Sequence, residues 1–278
     1  MMAPAIAVRG LTKSYGDVDA VRGIDLEVAS GEVFALLGPN GAGKTTTVEI
    51  LEGHRTRSSG DVHVLGHDPA KGERSFKQRI GIVLQETGVE RFLTVAEVLE
   101  LYRGYYPAPL PLDEIIEVVG LGEKRDTLVR KLSGGQQRRL DVAIGLAGDP
   151  ELLFLDEPTT GFDPSARRNA WQMITNLKQL GKTVFLTTHY MDEAQYLADR
   201  VAIIARGKIV AEGTPDGLVR GSEVDPRPAF SVDRKDAARL IELAAANGIE
   251  LAEIASAKTT LEEVYLQLTA ETVTGDTE

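Results

Sequence analysis

A glycine-rich segment near the start of the chain, Gly38–Thr45, has the spacing G-x-x-x-x-G-K-[ST] of a phosphate-binding loop. An apolar run, Val33–Leu37, precedes it and predicts a buried strand, and the residues from Gly43 to about Gly53 suit a helix. Backbone N–H groups of such a loop, together with the positive end of the helix, surround phosphate oxygens. We expect these residues to bind a nucleotide: Gly38, Pro39, Asn40, Gly41, Ala42, Gly43, Lys44, Thr45 and Thr46.

Two side chains of this loop and two acids further along the chain could together bind the phosphates and Mg²⁺ and activate a water molecule. Lys44 would reach the β- and γ-phosphates, and the Thr45 hydroxyl would ligate Mg²⁺. The apolar run Leu152–Leu155 ends in Asp156, which would hold Mg²⁺ directly or through water, and in Glu157, which could orient or deprotonate the attacking water. Taken alone, these acids could equally be a solvated strand end, and it is the phosphate loop upstream that favours the functional interpretation.

A third motif, LSGGQ, lies between the other two at Leu132–Gln136. Ser133 predicts a helix cap, and Gly134 and Gly135 leave the first backbone N–H groups of that helix accessible to an anion. One nucleotide needs only one phosphate loop, so a second anion-binding helix terminus requires an explanation. The alternative is an ordinary Ser-Gly-Gly loop.

The elements that must position these motifs alternate between strands and helices. Apolar runs predict buried strands at Val33–Leu37, Leu152–Leu155 and Thr183–Thr187, and a helical segment follows each of them. This alternation predicts an α/β fold with a mainly parallel sheet. Ligands of such folds bind at the carboxyl ends of the strands. Further short strands are predicted at Ile6–Val8, Ile24–Val28, Asp61–Leu65, Ile80–Leu84 and in a hairpin of Val201–Ala205 with Lys208–Glu212.

Two segments interrupt this alternation and indicate how the chain is divided. A capping box at Thr94–Glu97 and a proline-rich break at Pro107–Pro111 predict a small helical subdomain over about residues 86–147. Gly221–Pro228 is typical of a linker. We therefore expect one nucleotide-binding domain over residues 1–222 and a small α+β appendage over residues 223–278.

Composition excludes several classes of function. The 278 residues include 31 Lys and Arg against 42 Asp and Glu, and the net charge of −11 argues against binding to nucleic acid or anionic lipid. Without cysteine, disulfides and thiolate metal sites are excluded. The apolar runs are much shorter than the roughly 20 residues of a membrane-spanning helix, so we expect no direct membrane insertion and a cytoplasmic location.

The phosphate loop, LSGGQ and the LDE strand, in this order, resemble the ATP-binding-cassette (ABC) ATPases over about residues 6–220. The resemblance implies a P-loop NTPase fold with a mainly parallel core sheet, an antiparallel β subdomain and a helical subdomain, and it implies ATP and Mg²⁺ as cofactors. Four further residues resemble family positions. Tyr15 would stack on adenine, unless it is a plain strand aromatic; Gln85 would contact Mg²⁺ and the γ-phosphate; Asp163 would couple two sites; His189 would contact the γ-phosphate.

The resemblance also implies a second ABC ATPase chain as a partner, either a second copy or a similar protein. Each ATP would lie between Gly38–Thr45 of one chain and the residues Ser133, Gly134, Gly135 and Gln136 of the other. Within each site, Glu157, His189 and Lys44 would be catalytic, and Thr45, Gln85 and Asp156 would ligate the metal. Hydrolysis would remove the phosphate that joins the two faces, and the dimer would open.

Finer similarity indicates what such an ATPase drives. Thr187–Ala194, Arg200–Thr214 and Thr260–Thr269 resemble the exporter group typified by daunorubicin- and multidrug-resistance ATPases of the ABC-2 type. In that group the permease is a separate membrane chain, which would hold this subunit on the inner face of the membrane and contact the residues 85–122. The alternative is a single-cassette ATPase that is not coupled to transport, for example of the cluster-assembly type. The appendage could regulate or join the dimer, or only extend the packing.

Overall fold

The computed structural model describes residues 3–83, 88–221, 261–262 and 264–266. Its strands are β1 (Ile6–Tyr15), β2 (Val18–Val28), β3 (Val33–Leu37), β4 (Ser59–Val64), β5 (Ile80–Val83), β6 (Leu152–Asp156), β7 (Thr183–Thr188), β8 (Arg200–Ala205) and β9 (Lys208–Gly213). Its helices are α1 (Lys44–Leu51), α2 (Arg74–Lys77), α3 (Val95–Arg103), α4 (Leu112–Val118), α5 (Gly134–Leu146), α6 (Pro164–Gln179), α7 (Met191–Leu197) and α8 (Pro215–Gly221).

The larger sheet has the strand order β5-β6-β7-β3-β8-β9, with every pair parallel except the β8–β9 hairpin. This confirms the predicted α/β fold with a mainly parallel sheet. The register aligns the strand ends, because Leu37 lies opposite Thr188 and Asp156 lies opposite Thr187. The segments that follow β3, β6 and β7 therefore emerge side by side at one edge of the sheet.

Both faces of this sheet are covered, which explains why its strands are continuous apolar runs rather than alternating ones. On β3, the residues Val33, Ala35 and Leu37 pack on the side of the helices α3 to α7. Phe34 and Leu36 point to the other side, where they pack with α1 and the smaller sheet. A ladder of aromatic rings stabilises that side, since the ring of Phe185 lies 5.6 Å from that of Phe34.

The smaller sheet is antiparallel, with β1 between β2 and β4, as the family resemblance implies. Its first two strands are longer than the predicted Ile6–Val8 and Ile24–Val28. The reason is a set of register shifts along β1, which interrupt the two-residue alternation by which strands are recognised in a sequence. At one of them, Gly10 has a φ of 56° and donates its N–H to the Asp25 carboxylate.

The helices between β5 and β6 form the predicted helical region. The capping box of α3 is present, with the Thr94 hydroxyl and the Glu97 carboxylate each accepting a backbone N–H of the other residue. The chain then breaks at Pro107–Pro111 and continues as α4. Leu99 and Ile115 are fully buried in the core that α5 shares with the larger sheet. Several predicted boundaries differ by one or two residues from the observed ones.

Beyond β9 the structure adds one element that the sequence did not suggest, the helix α8, which ends at the first residue of the predicted linker. Of the appendage, only residues 261–262 and 264–266 are described, and they are helical. Leu261 and Tyr265 are buried in the same core as the helices α3 to α7. The other predicted elements of the appendage lie outside the described residues, and the division at residue 222 stays a prediction. Among the described residues, no helix has the length and apolarity to cross a bilayer.

Candidate functional site

The phosphate loop lies directly after β3 and is fixed to the sheet by its backbone. Gly38 donates its N–H to the Thr188 carbonyl at 3.3 Å, and the Ala42 carbonyl accepts the N–H of Gly207 at 2.9 Å. A side chain at Gly43 would meet the Ala20 carbonyl oxygen at 2.5 Å, and the φ of 105° there disfavours other residues. The glycine spacing that the sequence displays is therefore required by a close approach of two backbones.

Lys44, the first residue of α1, lies at the centre of this loop and is only 5% exposed. Its Nζ donates to the carbonyl oxygens of Gly38 at 2.8 Å and Pro39 at 3.2 Å. The same Nζ lies 3.5 Å from Oε1 of Glu157. Burial lowers the pKa of Lys44, and the neighbouring carboxylates oppose that effect only in part. Thr45 and Thr46 follow on the exposed side of the helix start.

Asp156 is the last residue of β6, beside the loop. The Thr187 hydroxyl on β7 donates to Oδ1 of Asp156 at 2.5 Å, which orients the carboxylate. The Asp156 carbonyl accepts a hydrogen bond of 3.0 Å from Nη2 of Arg138 on α5. Through Arg138, a residue that the sequence did not single out, the helix that begins at the LSGGQ motif contacts the strand that bears the acids.

Glu157 follows with a φ of 45°, an uncommon backbone conformation for a residue other than glycine. Its N–H points at both the carbonyl and the hydroxyl of Thr187, at 3.2 Å and 3.0 Å, and these contacts hold the turn. The turn directs the carboxylate toward the phosphate loop, where it accepts a 3.0 Å hydrogen bond from the Thr160 hydroxyl. Such strain costs on the order of 1–3 kcal/mol and is typical of functional sites.

Burial by itself would raise the pKa of Glu157, but three neighbours outweigh it. The Thr160 hydroxyl, the His189 imidazole and the Lys44 ammonium all favour the ionised carboxylate, and the pKa lies below its ordinary value. Glu157 is therefore charged at neutral pH and is able to accept a proton.

His189 lies just after β7, with Nδ1 3.3 Å from Oε1 of Glu157. The distance suits an ion pair when the ring is protonated, although no described residue forms a well-angled hydrogen bond with this Nδ1. The ring also packs on Tyr190, with centroids 4.0 Å apart. The structure thus brings together Lys44, Asp156, Glu157 and His189, four of the residues that the sequence proposed for catalysis and metal binding. We call these four residues the carboxylate cluster.

The LSGGQ segment has a different, local geometry. Ser133 caps α5: its hydroxyl accepts the N–H of Gln136 at 3.3 Å, and its own N–H donates to Oε1 of Gln136 at 3.0 Å. The helix begins at Gly134, directly after Ser133, as the predicted cap requires. Ser133 and Gly134 are exposed, and a side chain at Gly134 would meet nothing within 4 Å. The first turn of α5 is therefore open to solvent, as an anion site requires.

A cleft of about 920 Å³ lies between this helix start and the carboxylate cluster. Ser133, Gly134, Gly135 and Gln136 line one side of it, and Glu157 lines the other, together with the residues 160–163. Lys44 does not line the cleft. Asp163 occupies the start of α6, where its carboxylate accepts the N–H groups of Ser165 and Ala166.

Another predicted site residue, Tyr15, does not line this cleft. Tyr15 ends β1, is 40% exposed, and has the cations of Lys13 and Arg55 about 5.0 Å and 5.2 Å from its ring. Gln85 lies outside the described residues, so its part in the site stays a prediction. In the part of the chain that is described, no group of three or more His, Cys, Asp or Glu side chains is arranged to hold a metal by itself.

Comparison with known proteins agrees with this geometry. The family model for the ABC transporter matches residues 21–160. The daunorubicin resistance ATP-binding protein DrrA3 of Streptomyces coeruleorubidus is 37% identical over 98% of both chains. The daunorubicin/doxorubicin resistance ATP-binding protein DrrA of Streptomyces peucetius is 44% identical over 77% of this chain and 66% of its own length. The Nod factor export ATP-binding protein I of Rhizobium meliloti (strain 1021) is 39% identical over 91% of this chain and 73% of its own length.

Solved structures support the fold. The ATP-binding subunit of an ABC transporter superimposes with a TM-score of 0.70 at 22% identity, covering 95% of this chain and 99% of that one. An ATP-binding cassette solved as a dimer in a post-hydrolysis state with ADP and phosphate has a TM-score of 0.66 at 24% identity, covering 75% of this chain and 98% of that one.

Proposed function

This chain belongs to the ABC transporter family as an ATP-binding subunit that hydrolyses ATP, and on that premise we propose that it powers export through a separate membrane permease. The observation that carries the proposal is the carboxylate cluster beside the phosphate loop. There, the Lys44 ammonium and the His189 imidazole each lie within 3.5 Å of Oε1 of the ionised Glu157 carboxylate. This arrangement suits a general base beside a phosphate-binding cation.

We assign the individual roles as follows. Lys44 neutralises charge on the terminal phosphates, and Glu157 orients a water molecule and accepts its proton. His189 contacts the γ-phosphate and, through Nδ1, stabilises the ionised Glu157. The pKa of Glu157, held below its ordinary value by its neighbours, keeps the carboxylate in the form that a base needs.

Mg²⁺ fits the oxygen donors at this edge of the sheet. The exposed hydroxyl of Thr45 and the carboxylate of Asp156 are the hard ligands that this ion prefers, and few protein ligands suffice because Mg²⁺ keeps several waters. Gln85 is the third proposed ligand, on the family resemblance alone. When bound, Mg²⁺ would neutralise charge on the β- and γ-phosphates.

We propose that a second copy of the chain completes each nucleotide site. Support comes from the exposed start of α5, where free N–H groups face solvent, and from the cleft of about 920 Å³ beside it. The γ-phosphate would be bound by the phosphate loop of one chain and by Ser133–Gln136 of its partner. Loss of that phosphate removes the contact between the two faces.

The permease would dock on the helical region. A groove of about 390 Å³ runs between residues 88–92 and the helix α3, and it is lined by Phe92, Leu101 and Tyr102. Phe92 is 71% exposed and Leu101 is 51% exposed, an unusual exposure for large apolar side chains. An amphipathic helix from a cytoplasmic loop of the permease suits such a groove. The chain would then lie on the inner face of the membrane through that contact.

The exported molecules are proposed to be drugs, antibiotics or other hydrophobic compounds. The relative that matches along almost the whole chain carries a drug-resistance name, and others carry the name of Nod factor export. None of these relatives supports the alternative, an ATPase that is not coupled to transport.

The experiment that tests this proposal is affinity purification of the full chain from solubilised membranes, in cells with and without a co-expressed permease. We expect the ATPase to sediment with membranes and to co-purify with the permease only when both are present. Substitution of Phe92 by Ser should weaken that association without changing ATP hydrolysis by the purified subunit. An ATPase that stays in the supernatant both with and without the co-expressed permease would contradict the assignment to transport.

A further inference from the structure

One buried carboxylate has no part in the site described above. Glu193 lies in the first turn of α7, four residues after His189, and is only 1% exposed. Within the described part of the chain, no cation lies at ion-pair distance from it, and its Oε2 has no hydrogen-bond partner. A carboxylate buried in this way is costly unless other groups compensate, so its presence requires an explanation.

Glu193 is held by side chains from two separate segments, the turn after β6 and the helix α6. Its Oε1 accepts a hydrogen bond of 2.7 Å from the Thr159 hydroxyl and one of 3.2 Å from Nε1 of Trp171. Burial raises the pKa of Glu193, and the hydroxyls of Thr188 and Thr159 and the Trp171 N–H oppose that rise. The carboxylate is therefore the common acceptor for groups on otherwise separate segments.

The positions of these residues in the chain show which segments of the site the contacts of Glu193 connect. Thr159 follows Glu157 by two residues, and Glu193 itself follows His189 by four. Trp171 belongs to α6, the helix that Asp163 caps. A second link runs parallel, since Arg167 on α6 contacts the Asp192 carboxylate at 3.1 Å and lies 4.4 Å from the ring of Tyr190.

We propose that Glu193 is a positioning residue for ATP hydrolysis, which holds the segment after Glu157 and the start of α7, just after His189, against the helix α6. Its role is to keep Nδ1 of His189 and Oε1 of Glu157 at their 3.3 Å separation and to make both segments follow any movement of α6. Glu193 acts through these neighbours and does not touch the nucleotide. The inference rests on the roles proposed above for Glu157 and His189.

The test compares Glu193→Ala with Glu193→Gln in the purified full chain. The amide oxygen of Gln still accepts hydrogen bonds from Thr159 and Trp171, whereas Ala removes the acceptor. We expect Glu193→Ala to lower kcat for MgATP at least about tenfold with KM changed less than about threefold, because misplaced groups lose catalysis rather than binding. Glu193→Gln should restore kcat to within about threefold of the wild type.

Glu114 offers a matched control. It is also the third residue of a seven-residue helix, in the same Asp-Glu context, but it is exposed. Glu114→Ala should leave kcat, KM and the melting temperature unchanged. Thr159→Val removes one donor without creating a cavity, and we expect it to lower kcat with KM retained. This variant tests the inference even if Glu193→Ala does not fold.

Trp171 supplies a spectroscopic readout, since it is the one tryptophan of the chain. MgATP should change its emission in the wild type and in Glu193→Gln, and the amplitude should fall in Glu193→Ala. The inference is wrong if Glu193→Ala keeps wild-type kcat, if Glu193→Gln is as impaired as Glu193→Ala, or if the emission amplitude is the same in all three proteins. Full turnover by Glu157→Gln would instead overturn the proposed function, whatever the Glu193 variants do.

Discussion

The carboxylate cluster and the start of α5 are built in opposite ways. The carboxylate cluster joins residues that are far apart in the chain, at the ends of three neighbouring strands, and Lys44 and His189 both lie within 3.5 Å of Oε1 of Glu157. The start of α5 is a contiguous turn, capped by a reciprocal pair of hydrogen bonds between Ser133 and Gln136, and its first residues, Ser133 and Gly134, are exposed. On the roles proposed above, the first region acts on a phosphate bound by its own chain, whereas the second binds a phosphate held by the partner chain.

This difference indicates a division of labour. The ionised Glu157 and the buried Lys44 form an electrostatic site, whose strength depends on charge and on burial. The turn at Ser133 is neutral and acts through backbone dipoles. Variants of the two regions should therefore differ in size of effect, in the need for a partner chain and in response to pH.

The largest effect is expected from Glu157→Gln. The amide cannot accept the proton of the attacking water, so kcat should fall by about 10²–10⁴-fold while ATP binding is retained. With ATP but without hydrolysis, the closed dimer should accumulate, which size-exclusion chromatography with and without ATP would detect. Near-normal hydrolysis would remove Glu157 as the base.

The next largest effect is expected from Gly134→Asp. A side chain at this position meets open space, so the fold should be retained, but a carboxylate at the anion-binding helix start repels phosphate. We expect ATPase activity to fall by about 10²–10³-fold while ATP binding by the single chain persists, because loss of one such electrostatic contact costs about that much.

Mixing two inactive variants tests whether the two regions come from different chains. Lys44→Ala should lose tight ATP binding and turnover, yet it keeps an intact Ser133–Gln136 turn. A 1:1 mixture with Gly134→Asp contains heterodimers with one complete site, so activity should return to at most about a quarter of the wild-type level. No recovery on mixing would argue against sites shared between chains.

A smaller effect is expected from Ser133→Ala. Loss of the cap should lower the free energy of unfolding by about 1 kcal/mol. Because the backbone N–H groups remain, kcat should fall less than in Gly134→Asp. Chemical denaturation gives the first quantity and steady-state ATPase assays give the second; a larger loss of kcat than in Gly134→Asp would show that the hydroxyl itself binds the nucleotide.

The smallest effect concerns the pH dependence of the free energy of unfolding, which should differ between variants of the two regions. The pKa of Glu157 lies below its ordinary value of 4.5 in the folded chain, so its contribution to stability is complete above about pH 4.5 and is lost as the pH falls through the folded pKa. The stability difference between the wild type and Glu157→Gln should therefore shrink in acid. The difference between the wild type and Ser133→Ala should not change, because neither Ser133 nor Gln136 titrates. Urea denaturation between pH 3 and pH 7 would check this.

Much of the fold could be predicted because its signals are local. The apolar runs of β3, β6 and β7, the capping turn at Ser133 and the capping box of α3 depend on neighbouring residues, and all are observed. The limits of β1 and β2 were missed because bulges break their periodicity. The helix α8 was missed although Thr214 and Pro215 mark its start, since the Thr214 hydroxyl accepts the N–H of Gly217 and proline suits the first helical position.

What the sequence by itself determined was the set of chemical groups and their order: the loop with Lys44, the turn at Ser133, and the acids that end β6. Only the tertiary structure decided which distant groups support them. Thr187 on Asp156, Arg138 on the Asp156 carbonyl and Glu193 on Thr159 are contacts between segments 18 to 34 residues apart. A threonine, an arginine or a buried glutamate carries no local sign of its partner, because the partner is set by strand order and packing. The Thr160 hydroxyl, His189 and Lys44 hold the pKa of Glu157 below its ordinary value, and Thr187 holds the turn that directs its carboxylate.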